Sequence, residues 1–118
     1  MSVSNKHRLS SLRENEQRAI SAFRESLDKA LGANVVALKL FGSKARGRST
    51  PASDIDLLVL VKRYAAQLED LVIEIAFDIN LEYGVYISPR VIGEATFRHP
   101  VWRSTSFLRL LAKEGIPV

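Results

Sequence analysis

The sequence predicts a small α/β (α+β) domain: a three-stranded mixed sheet flanked by helices, in the order α-β-(short α)-β-α-β-α. Three observations carry that prediction. Two apolar stripes recur at helical spacing, over residues 12–31 and 64–83. Between them lie two short segments dense in β-branched and aliphatic residues, Val35 to Phe41 and Ile55 to Val61. Gly32 and Gly84 stand where helix C-terminal caps belong.

The arm through Ser10 is polar and reads as flexible. Ser11-Leu12-Arg13-Glu14 fits a capping box, and the first helix follows with Leu12, Ala19, Ile20, Phe23, Leu27 and Leu31 on one face. Val35 to Phe41 is the first strand, with Lys39 its one charged interruption. Gly42 to Ser53 is rich in Gly, Ser, Thr and Pro, with room for one helical turn around Lys44 to Arg46. Ile55 to Val61 does not alternate, which fits a strand covered on both faces. Leu68, Leu71, Val72, Ile75, Ala76, Ile79 and Tyr83 form the stripe of the next helix. Val85 to Ile92 is a third strand, and Pro89 assigns it to an edge or a break. From Glu94 onward the pattern is helical again, stopped by Gly115 and Pro117. No repeat or linker divides the 118 residues, so a single domain is expected over residues 1–118.

Composition narrows the chemistry. There is no cysteine, which removes disulfides, thiol catalysis and Cys-ligated zinc, and the two histidines, His7 and His99, are too few for most His-based metal sites. The longest apolar run, Leu57 to Val61, is five residues, far short of a membrane span, and the first twelve residues hold no signal-like apolar core. A cytoplasmic protein is expected. The net charge of +4 is segregated: residues 39–48 carry Lys39, Lys44, Arg46 and Arg48 with no acid, while residues 49–86 carry seven acids against Lys62 and Arg63. That arrangement suits a phosphate-bearing ligand beside a carboxylate-held cation, although solvated faces would look the same.

The informative segment is FGSKARGRSTPASDIDLLVLV, residues 41–61. Asp54 and Asp56 bracket Ile55 at a strand start, so period-two geometry puts both carboxylates on one face, roughly 6–7 Å apart. Two like charges there repel unless a cation lies between them, and Mg²⁺ is the natural hard-oxygen candidate. Gly42 lacks the Cβ that would obstruct a phosphate, Ser43 adds a hydroxyl, and free N–H groups at a helix start attract anions. Arg46 could pair with phosphate or with one of the aspartates. Lys44 adds positive charge to the same loop; for it and Arg48 the solvent-facing reading is the stronger.

Gly-Ser, then Ala-Arg-Gly, then Ser-Asp-Ile-Asp-Leu on a strand–turn–strand frame resembles the nucleotidyltransferase domain of the DNA polymerase β superfamily. The small size is similar to that of the minimal nucleotidyltransferases of bacteria and archaea. The resemblance implies that Gly42 and Ser43 hold the triphosphate of an NTP, with ATP the expected donor; Lys44 and Arg46 are counted beside them as nucleotide-binding candidates. It implies that Asp54 and Asp56 are the catalytic carboxylates and bind two Mg²⁺ ions. A protein or small-molecule hydroxyl would receive the nucleoside monophosphate. It also implies a small helical partner of the HEPN type, as in toxin–antitoxin pairs.

One departure stands out. Active members of that family usually carry a third carboxylate on a later strand, and Val85 to Ile92 has none; Tyr86 or Ser88 stands in its place, with Asp78, Glu82 and Glu94 nearby in sequence. The alternative is therefore a weakly active or inactive nucleotide-binding or interaction protein of the same fold. Arg98, Arg103 and Arg109 interleave with Trp102, Phe107, Leu108 and Leu111 as a basic amphipathic helix, with packing on the sheet preferred to a partner surface. Nucleic-acid binding is disfavoured, because the basic segment adjoins two acids that would repel a phosphate backbone. No membrane association is expected, and a homo-oligomer stays open.

Overall fold

A computed structural model describes residues 12–42, 54–106, 109 and 115–118. Helix α1 (Glu14–Leu31) leads through a short 3-10 turn, Gly32–Asn34, into strand β1 (Val35–Phe41). Strand β2 (Ile55–Val61), helix α2 (Ala66–Tyr83) and strand β3 (Ile87–Gly93) follow. Two short helices, α3 (Glu94–Arg98) and α4 (Pro100–Arg103), and a two-residue strand β4 (Ile116–Pro117) come next among the described residues.

The sheet runs β3-β2-β1-β4. β1 pairs antiparallel with β2 and with β4, and β2 pairs parallel with β3. The fold class is the expected one and the sheet is mixed, but among the described residues it has four strands rather than three. Ile116 and Pro117 are too short to show a pattern, and they become a strand because Ile116 buries itself beside Leu40 on the edge of β1.

β2 is the centre of the domain. Ile55, Leu57, Val59 and Val61 point to the side of α1 and α2, where they meet Phe23, Leu27, Val72, Ala76 and Ile79. Leu58 points the other way, into a small cluster with Ile92, Phe41 and Phe97. Both faces are thus covered, as the unalternating sequence predicts, and each fully buried leucine contributes about 2 kcal/mol. Pro89 lies on the edge strand, where its missing N–H costs no ladder bond.

Helix and strand ends differ from expectation in four places. α1 begins at Glu14 with Arg13 as its N-cap, two residues later than the expected box, and the buried Glu16 carboxylate accepts from Arg13 N at 2.9 Å; Ser11 lies outside the described residues. Leu12 is buried just ahead of that helix. α2 begins at Ala66, two residues late, and Leu71 is exposed, so its buried stripe narrows to Val72, Ala76 and Ile79. β3 begins at Ile87 rather than Val85, because Asn80 of α2 holds Ile87: its amide donates to Ile87 O at 3.1 Å and accepts from Ile87 N at 2.7 Å. The expected C-terminal amphipathic helix is broken after Arg98, where Pro100 opens α4 and the His99 ring accepts from Val101 N. Phe107, Leu108 and Leu111, and the arm through Ser10, lie outside the described residues.

Asn80 therefore ties the second helix to the strand beside the acids. Asn80→Ala leaves both backbone groups of Ile87 without their side-chain partner, and a loss of about 1–3 kcal/mol is expected from urea denaturation.

Candidate functional site

The two faces of the sheet are chemically distinct. Helices α1 and α2 cover one. The opposite face carries Lys39 and Phe41 of β1, Asp56 and Leu58 of β2, and Ser88, Arg90 and Ile92 of β3. Along β2 this face changes from carboxylate at the start to apolar at Leu58 and Leu60. Burying an unpaired carboxylate costs several kcal/mol, so acids are tolerated at the open end of such a strand and not in its middle.

Asp54 immediately precedes β2 and is exposed, while Asp56 is half-buried. The Ile55 N–H between them donates to Tyr86 O at 2.8 Å, which fixes the start of β2 against the segment entering β3. The ladder then sets Asp56 between Phe41 on one side and Ser88 on the other. The register places Asp56 on the face away from α1 and α2, and Asp54 stands one residue ahead of the strand.

Gly42 is the second element of the site. It follows Phe41, the register partner of Asp56, and its φ of +75° lies in the left-handed region. A Cβ built on Gly42 would collide with Asp56 Oδ2 and crowd Asp56 Cγ. Any other residue would be strained at this φ and would have to displace the carboxylate, so the backbone at Gly42 packs directly against a carboxylate of the Asp-x-Asp pair. Ser43, Lys44 and Arg46 lie outside the described residues.

The donor set fits a hard divalent cation. Two carboxylates two residues apart at the start of β2, one exposed and one half-buried, supply oxygen ligands of the kind that commonly hold Mg²⁺ together with water and phosphate oxygens. Among the described residues no group of three His, Cys, Asp or Glu side chains could hold a metal, so Asp78, Glu82 and Glu94 do not join the pair. Glu94 follows the far end of β3 and pairs with Arg98. Asp78 and Glu82 are on α2, which packs against the other face of the sheet. Ser88 is the residue alongside Asp56. Sequence reading left Tyr86 and Ser88 as alternatives and passed over Asn80; an asparagine beside the apolar stripe of a helix was the signal for the latter.

The family model for the nucleotidyltransferase domain matches residues 20–108. A candidate protein adenylyltransferase of Methanocaldococcus jannaschii is 34% identical over 102 residues, covering 86% of this chain and 95% of its own. A second from the same archaeon is 33% identical over 100 residues, covering 84% and 94%. Among solved structures, a candidate minimal nucleotidyltransferase superposes with a TM-score of 0.55 at 22% identity, covering 90% of this chain and 97% of that one. A mutant of the toxin–antitoxin complex MntA–HpeT gives 0.54 at 20% identity, covering 90% and 72%. These two likenesses concern the fold.

Gly42→Ala is expected to cost about 1–2 kcal/mol of stability through its positive φ. By displacing the Asp56 carboxylate it should also weaken Mn²⁺ binding, measured by titration followed with electron paramagnetic resonance, far more than an alanine at exposed Gly84.

Proposed function

This chain belongs to the nucleotidyltransferase domain family, and from that premise we propose that it moves a nucleoside monophosphate from ATP to a hydroxyl of a protein or small molecule, with Asp54 and Asp56 holding Mg²⁺. The observation that supports the reading is the packing of Gly42 against Asp56, which brings the end of β1 against one carboxylate of the Asp-x-Asp pair. The names of the two archaeal relatives support adenylyl as the transferred group and a protein as acceptor.

In this reading the acceptor oxygen attacks the α-phosphorus in line, the new O–P bond replaces the bond to the β-phosphate oxygen, pyrophosphate leaves, and the acceptor proton passes to solvent. Bound Mg²⁺ would neutralise charge on the phosphates, the main requirement of this class of transfer. Asp54 and Asp56 orient that charge on the open face. Gly42 and Ser43 would admit the triphosphate to backbone N–H groups, with Lys44 and Arg46 as further positive charge. We assign the partner to the small helical HEPN type that the sequence resemblance implies; the toxin–antitoxin name of the MntA–HpeT structure supports a protein partner in general. A cytoplasmic single domain spanning residues 1–118 and two Mg²⁺ ions complete the reading.

A second reading, nucleotide binding with weak or no transfer, is favoured by one observation: Ser88, not an acid, is the β3 neighbour of Asp56. The missing carboxylate would have completed the metal site and helped deprotonate the acceptor.

Two measurements separate these readings. Calorimetric titration with ATP, GTP, CTP and UTP should show Mg²⁺-dependent binding, strongest for ATP, that vanishes in Asp54→Asn/Asp56→Asn; binding that survives in the double variant would remove the pair from the site. Ser88→Asp restores a carboxylate beside Asp56. It should tighten Mn²⁺ binding by about tenfold, a gain of about 1.4 kcal/mol. A matching rise in adenylyl transfer would identify the native chain as a weak enzyme for want of that acid.

A further inference from the structure

Helix α2 has an outer face that its place in the core does not explain. Val72, Ala76 and Ile79 are buried, yet Ile73, Phe77 and Leu81 are 52%, 60% and 71% exposed. Spaced four residues apart, these three stand one above another along about 12 Å of helix. Beside them runs a second row at the same spacing, Asp70, Glu74, Asp78 and Glu82, all exposed. With Glu69, the helix holds five acids and no lysine or arginine, in a chain whose net charge is +4. A merely solvated face would not need the apolar row, and a core-facing row would not be exposed.

We infer that the Ile73–Phe77–Leu81 row and its acidic flank form a docking surface for a protein partner that presents a basic amphipathic helix. The apolar row supplies a seam for aliphatic or aromatic side chains at one-turn spacing. The acidic row supplies charge complementarity and sets the side on which the partner's lysines and arginines lie. A second copy packed antiparallel through the same row is a poor occupant: a two-fold axis through Phe77 and across the helices sets acidic row against acidic row. The surface is on the opposite side of the sheet from Asp54 and Asp56, so it engages a partner without occupying the metal and nucleotide positions.

The test uses the full chain and a fluorescent synthetic helical peptide of about 18 residues, with leucines at one-turn spacing flanked by lysines. A twin with glutamates for the lysines is the control. Anisotropy should show the lysine peptide binding, weakening about tenfold between about 0.1 M and 0.5 M salt, and the glutamate twin not binding. Phe77→Asp adds negative charge, so simple attraction would bind the peptide as well or better; docking predicts a loss of about tenfold or more. Ile73→Ser/Leu81→Ser should show the same loss without added charge, and circular dichroism checks that both variants fold. Undiminished binding in these variants, equal binding of the twin, or no binding of the lysine peptide overturns the inference. So does a concentration-dependent dimer of the native chain, seen by sedimentation, that Phe77→Asp dissolves, because the occupant is then a second copy.

Discussion

The close approach of Gly42 to the Asp56 carboxylate is the constraint on which the candidate site depends. A hydrogen-only side chain and a positive φ let the end of β1 pass over the first residues of β2. The β1–β2 register follows from the same geometry, since Phe41 and Asp56 are ladder partners. Any larger residue at position 42 would have to move the carboxylate or the turn. In a site whose expected work is electrostatic, either movement alters the charge geometry directly.

β2 can place acids at its start because the rest of it is so apolar. Leu57 to Val61 is buried on both sides, against α1 and α2 on one face and the Leu58–Ile92 cluster on the other. That burial anchors the strand, and the stabilisation it contributes offsets holding two like charges at the open end. β3 is positioned from behind, through Asn80 and the main-chain bond from Ile55 to Tyr86. The outcome is a neutral Ser88 beside Asp56. Where the sequence resemblance leads one to expect an acid on this strand, a serine lies alongside Asp56.

Much of the architecture was legible because it is written in local patterns. The bounds of β1 and β2 coincide with their β-rich runs, and Gly32 and Gly84 close the two long helices with φ of 56° and 66°. The place of Asp54 and Asp56 at the start of β2 needed only the apolar run that follows them. Less legible were features whose cause lies elsewhere in the chain. The later start of β3 depends on a side chain of α2, β4 exists only because β1 has an edge to cover, and Leu71 faces solvent because α2 packs through a narrower face than its sequence stripe.

The amino-acid sequence by itself determined the two long helices, the strands β1 and β2 and the two-sided burial of β2, since each rests on the spacing of neighbours along the chain. The tertiary structure alone decided which residue stands beside Asp56, that β1 and β2 run antiparallel while β2 and β3 run parallel, and which apolar residues of α2 remain exposed. Those properties depend on register and packing between segments far apart in sequence, and no local period encodes them.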